Sequence, residues 1–323
     1  MSSNVYLGQV LHSGGLGCSA TATVHDRRGR IKGATMEIRS IVEEYPMQAI
    51  GGLMAARELW ERALIPSLLS GAGTWIRDCK EGIDICDELQ NFFWRVILRV
   101  PESCPKVALR CETKMLGMKW RVWQEKLFLL MRIRKHEEGV LCRQIYEEAK
   151  ARGWPGLRQE VSDICQTINI PDVNHEFVLK SKIKEAVFNH HYKEMKEQID
   201  QMKKLEQIKM DNFTEIQNYF LGKSIENGRV SFKIRSKMLE NIPGNFKNKF
   251  RNQKEKLICR HCQTAQVMTQ SHCLECTAWV DIKKDLDMTI IEDLVKFFQR
   301  LLLERAKPEG SEQSGPHCTA HAP

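Results

Sequence analysis

Apolar residues recur at helical intervals along most of this chain. Val24, Ile31, Ile38 and Val42 fall on one helical face, and Pro46 closes the pattern. Ile50, Leu53, Trp60 and Leu64 continue it in a second predicted helix, broken at Pro66 and the Gly71–Gly73 turn. A third runs from Ile83 to Val100 with Leu89, Phe92, Phe93, Val96 and Ile97 on it, and stops before Pro101. Met118–Arg134 is a fourth, with Trp120, Trp123, Leu127 and Leu130 as its apolar side. Val140–Arg152 is a fifth, with Gly153 placed as its C-cap, and Leu157–Ile168 is a sixth. Alternation with a period of two is confined to Val5–Leu11, a short strand closed by Ser13-Gly14-Gly15. The pattern predicts a mainly α fold: a helical domain with a short N-terminal strand or hairpin, then a basic helical region and a small zinc module.

The character of the chain changes after residue 168. Asn169–His175 reads as a linker, and Ile290–Arg305 as a further helix. Lys307–Pro323, rich in Pro, Gly and Ser, has the composition of a disordered tail. Four regions are therefore expected, at 1–168, 169–256, 257–306 and 307–323.

Composition adds three constraints. Of 323 residues, 42% are hydrophobic, enough to bury a sizeable core, and the formal charge is +8. The longest apolar runs, such as Leu127–Met131 and Leu301–Leu303, fall far short of the ~20 residues of a membrane span. The stretch Met1–Gly8 has neither the basic nor the apolar region of a secretory signal. Seven of the 12 cysteines lie singly between Cys18 and Cys165, which suits a reducing nuclear or cytoplasmic compartment.

Four more cysteines crowd into Cys259–Cys276. Two close pairs, Cys259-Arg-His-Cys262 and His272-Cys273-Leu-Glu-Cys276, are joined by a loop of nine residues. Tetrahedral zinc needs four nitrogen or sulfur donors converging on one point, and this spacing supplies them. Cys259, Cys262, His272 and Cys276 form one ligand set. Cys273 in place of His272 gives an all-cysteine alternative, and His261 is a further donor. Four protein ligands leave no position for water, so the expected zinc is structural.

The charge is concentrated just before this cluster. Lys180–Lys256 holds 18 Lys and Arg against 10 Asp and Glu; within it, Arg229–Lys256 holds 9 against 2. Arg229, Lys233, Arg235 and Lys237, then Lys247, Lys249 and Arg251, alternate with Phe232, Phe246 and Phe250. Cations of this kind neutralise phosphates, and RNA or DNA is the partner they imply. The phenylalanines are expected in the core.

Enzyme signatures are absent. Gly222-Lys223-Ser224 matches the end of a phosphate loop, but Gln217 stands where the first glycine belongs. There is no G-x-S-x-G elbow, no H-E-x-x-H and no Asp-Asp pair. No small-molecule substrate is expected. His190-His191 reads as part of a solvated polar helix.

Several segments together resemble the reverse transcriptases of non-LTR (LINE-type) retrotransposons. Tyr6-Leu7-Gly8 is similar to the tripeptide that follows the palm in that family. Arg30-Ile31-Lys32-Gly33-Ala34 and Leu64–Trp75 resemble the thumb helices, and Leu89–Leu98 the helix that follows. Phe232-Lys233-Ile234-Arg235 and the cysteine spacing resemble the C-terminal basic segment and zinc module, a likeness that favours His272 over Cys273 as ligand. Ser70 and Gly73 depart from the Tyr and Glu expected in the thumb. The family polymerises DNA on RNA with a palm motif ending in Asp-Asp, expected upstream of Tyr6 together with the fingers. The resemblance thus implies a thumb-like domain at 1–168 and a nucleic-acid-binding fragment without polymerase activity. A host protein recruited from such a fragment for protein contacts, or a remnant without function, are the alternatives.

Overall fold

The computed structural model describes residues 3–6, 9–12, 16–44, 51–75, 79–153, 156–202, 205, 208, 217–222, 224–239, 258–259, 266–286 and 291–305. The fold is mainly helical. The chain divides into two compact units, Met1–Arg229 and Val230–Pro323. Residues 307–323 lie outside the described residues.

The first unit opens with strands β1 (Ser3–Tyr6) and β2 (Gln9–His12), paired antiparallel with Val5 opposite Val10. The alternating stretch Val5–Leu11 is thus divided between two strands. Helix α1 (Leu16–Glu44) follows. Among its buried positions, Ala20, Val24, Arg27, Ile31, Thr35, Ile38 and Val42 are spaced by steps of four or three, which keeps one stripe inward. Arg27 is tolerated there because its guanidinium donates to the carbonyls of Leu68 (3.0 Å) and Ser70 (3.1 Å). The stripe packs on α4 (Lys80–Leu98), whose inner side carries Leu89, Phe93 and Ile97.

Between them the chain stays helical through Pro66, where the sequence predicts a break. Helix α2 (Gly52–Leu59) runs through a π-helical turn, Trp60–Leu64, into α3 (Ile65–Leu68). The wider turn relaxes the backbone ladder ahead of Pro66, which sits in the first turn of α3, where a missing N–H is least costly. Trp60 from that turn packs against Phe93 with ring centroids 4.6 Å apart.

Helices α5 (Lys106–Thr113), α6 (Met118–Lys135), α7 (Leu141–Ala151) and α8 (Gly156–Thr167) complete the middle of the unit. Gly153 takes a φ of 68°, the left-handed conformation its C-cap role requires. The expected linker at Asn169–His175 is packed. Asn174 is buried and donates to the Arg158 carbonyl, Ser162 and Asp172, while Tyr146 donates to it.

Helix α9 (Lys180–Asp200) then lays Ile183, Val187, His191, Met195 and Ile199 inward at steps of four. His191 is 2% exposed, so it does not sit on a solvated face. Burial, with Arg110, Arg121 and Lys119 nearby, pushes its pKa down to about 4. After α10 (Asn218–Leu221), helix α11 (Ile225–Arg235) begins. Gly51 (φ 79°) and Gly228 permit the packing here: a Cβ on Gly51 would meet the Gly222 carbonyl oxygen at 2.7 Å, and one on Gly228 would meet Leu53 at 2.5 Å. No described helix is long and apolar enough to cross a membrane.

Candidate metal centre

The second unit is built around a core of Ile234, Leu239, Met268, Cys273, Trp279, Leu294, Val295, Phe297, Phe298 and Leu301, which also holds Cys259 and Cys276. Three local devices aim the polar donors within it. Ile258 and Val267 form an antiparallel bridge, closed by the Cys259 N–H donating to the Gln266 carbonyl at 2.8 Å, which brings Cys259 back beside the residues before His272. Thr269 caps helix α12 (Gln270–Glu275), its hydroxyl accepting from the His272 N–H at 3.0 Å. Cys276 follows the last turn, its N–H donating to the His272 carbonyl at 2.7 Å. Histidine and cysteine four apart thereby face the same way, one turn from each other.

The result is a buried cluster of Cys259, His272 and Cys276, whose donor atoms all lie within 4.8 Å of one another. The two sulfurs are 4.0 Å apart. Sulfurs bonded at about 2.3 Å to one tetrahedral ion stand roughly 3.8 Å apart, so the pair is already at ligating separation. His272 Nδ1 lies 2.8 Å from the Gln266 side-chain oxygen. A proton held on Nδ1 by that oxygen leaves Nε2 with its lone pair, the outer hydrogen bond that typifies metal-bound imidazole. The three residues can hold a metal ion. Lys283 donates to the carbonyls of Leu274 (2.8 Å) and Cys276 (3.0 Å), placing a cation at the C-terminal end of α12.

Of the two alternatives in the sequence, His272 joins the cluster and Cys273 lies in the apolar core, fully buried. Cys262, the fourth expected ligand, and His261 lie outside the described residues. Gln266, Thr269 and Lys283 were not singled out from the sequence. The Thr269-x-x-His272 spacing was the available signal for a helix cap.

The basic residues separate into three groups. Lys233, Arg235 and Lys237 are partly exposed at the end of α11, in the same unit as the cluster. They are tied to it through the buried Gln270 side chain, which donates to the Ile234 carbonyl at 3.0 Å. Phe232 is fully buried, as expected of core. Lys247, Lys249, Arg251, Phe246 and Phe250 lie outside the described residues.

Arg229 is a correction. Its side chain is 1% exposed and its guanidinium is fully engaged in the first unit. Nε donates to the Ile97 carbonyl at 2.7 Å, and the two terminal nitrogens reach Glu226 and Glu43 at 2.5 Å each. Arg99 also binds Glu43 (3.0 Å) and Glu226 (3.3 Å). A guanidinium buried and paired this way is a fold element and is not presented to a phosphate.

The first unit also contains a cavity of about 550 Å³ between α4, α6 and α8, lined in part by Trp123, Lys80, Asp84 and Asp163. Within its wall Lys126 is paired to Glu160, both nearly inaccessible. No protein family, curated protein or solved structure matches this chain.

Proposed function

We propose that the second unit is a zinc-stapled nucleic-acid-binding module, with Cys262 completing the ligand set of Cys259, His272 and Cys276. The observation that carries this reading is the convergence of three soft donors in the same unit as the partly exposed Lys233, Arg235 and Lys237. Zinc is the ion that suits two or three thiolates and one imidazole in a closed shell. With every ligand position taken, it folds the segment and performs no chemistry. The sequence resemblance to LINE-type reverse transcriptases supports the same role, a region that grips RNA or DNA.

Fluorescence anisotropy with single-stranded RNA and DNA tests the basic surface. Replacing Lys233, Arg235 and Lys237 together by glutamine is expected to weaken binding and to lower the slope of log affinity against log salt by about 2, since each phosphate contact to a single strand contributes roughly 0.7. An unchanged slope excludes these residues from the interface. A stable protein complex that survives nuclease treatment, from a chain with no nucleic-acid affinity, would favour a recruited interaction module.

A further inference from the structure

We propose that the cavity between α4, α6 and α8 binds a free α-amino acid with a large apolar side chain. This inference is independent of the nucleic-acid reading. The three helices enclose about 550 Å³ within the first unit, a volume in the range of small-molecule sites. Val122 and Trp123 of α6 and Ile164 of α8 supply an apolar lining. Lys126 and Glu160 also line the cavity, but they neutralise each other and are nearly inaccessible. Neither one selects the charge of a ligand.

The charges that do face the cavity are of both signs, and they are open. Lys80 and Asp84 lie one turn apart on α4, and both line it. Neither has an ion pair or hydrogen bond among the described residues. Here the cation precedes the anion, the weaker order for a pair four apart on a helix, so both stay available. Asp87, the next turn of α4, accepts the Met118 N–H at 2.9 Å and pairs with Arg110 at 2.9 Å, both through Oδ1. Its Oδ2 has no partner among the described residues, and Asp87 too lines the cavity. From α6 comes the Lys119 ammonium, held over the rings of Trp120 at 4.5 Å and Trp123 at 5.0 Å. The indoles fix the position of that cation without neutralising it.

A ligand of one sign meets opposition in this setting. An anion faces Asp84 and Asp87, and a cation faces Lys80 and Lys119. A molecule carrying both charges satisfies both sets. Residues four apart on a helix have Cβ atoms roughly 5–6 Å from each other, so the two charges of the ligand must also be close together. The ammonium and carboxylate of an α-amino acid meet that condition. Its ammonium goes to Asp84 and the open Oδ2 of Asp87, and its carboxylate to Lys80 and Lys119, through charge-assisted hydrogen bonds. Its side chain leaves water for the apolar lining.

The test is a calorimetric titration of the full chain with three probes that differ by one charge: L-phenylalanine, 2-phenylethylamine, which lacks the carboxylate, and 3-phenylpropionate, which lacks the ammonium. Phenylalanine is expected to bind saturably, and each analogue about tenfold more weakly for the loss of one charged hydrogen-bonding group. Asp84→Asn should weaken phenylalanine and 2-phenylethylamine and leave 3-phenylpropionate unchanged. Lys80→Gln should weaken phenylalanine and 3-phenylpropionate and leave 2-phenylethylamine unchanged. Both positions are exposed, so the substitutions leave the fold intact. No saturation by phenylalanine at about 10 mM, an analogue that binds as tightly as phenylalanine, or unaltered affinities in the two variants overturns the proposal.

Discussion

Stripping the metal is expected to unfold the second unit while the first stays folded. The described helices of the second unit are short, six residues in α12 and four at Val280–Lys283, with the longer Ile291–Arg305 packed on the same core. Helices shorter than about 12 residues are marginal on their own. Three buried donors converge where these pieces meet, so ion binding and folding are one equilibrium. Heating the chain in a strong chelator should therefore remove one transition and leave the other unmoved. Cys276→Ser should reproduce that loss in the presence of zinc. Gln266→Ala, which removes only the oxygen beside His272 Nδ1, should weaken zinc by about 10- to 100-fold, as outer-shell substitutions do. A melting profile indifferent to chelator would exclude a structural ion.

Replacing Arg229 by alanine is expected to cost the first unit about 1–3 kcal/mol, chiefly the penalty for leaving a buried hydrogen-bond acceptor without its donor. The loss has an identifiable origin: Glu43 and Glu226 lose a charged partner, and the Ile97 carbonyl loses its donor. The same network predicts a pH dependence. Burial acts to raise the Glu43 pKa, but hydrogen bonds from Arg229, Arg99 and Arg39 outweigh it and hold the group at about 2, below its ordinary 4.5. A depressed carboxyl contributes stability that is fully present above pH 4.5 and is lost as pH falls towards 2. Urea midpoints for the first unit should fall across that window in the native chain. In Glu43→Gln the first unit should start weaker and lose less over the same window. Nucleic-acid affinity at pH 7 should be untouched by any substitution at Arg229 that leaves the chain folded.

What the sequence could and could not reveal follows from the range of each interaction. The α1 stripe was legible from Val24, Ile31, Ile38 and Val42 because amphipathic periodicity is written in neighbouring residues. Pro66 reads as a stop in the sequence because no local pattern announces the π-helical turn ahead of it. Helix Lys106–Thr113 left little periodic trace, since its buried side includes Glu112 and Thr113. Asn169–His175 looked like a linker until Asn174 met partners on neighbouring elements. Arg229 counted as surface charge because composition does not separate a buried guanidinium from a solvated one. Its partner Glu43 lies 186 residues away in sequence. The cysteine spacing, being local, did announce a group of side chains that can hold a metal ion. In the sequence the choice of His272 over Cys273 rests on the resemblance alone; its physical reason is α12, which sends adjacent side chains to different sides.

The central claim is that metal and cations together make a nucleic-acid-binding unit. Binding of single-stranded RNA by the zinc-loaded full chain, measured from 50 to 200 mM salt and repeated after chelation, tests it most directly. The account predicts affinity that falls steeply with salt and largely disappears when zinc is removed. Affinity that ignores salt, or that is the same with and without the metal, would contradict it.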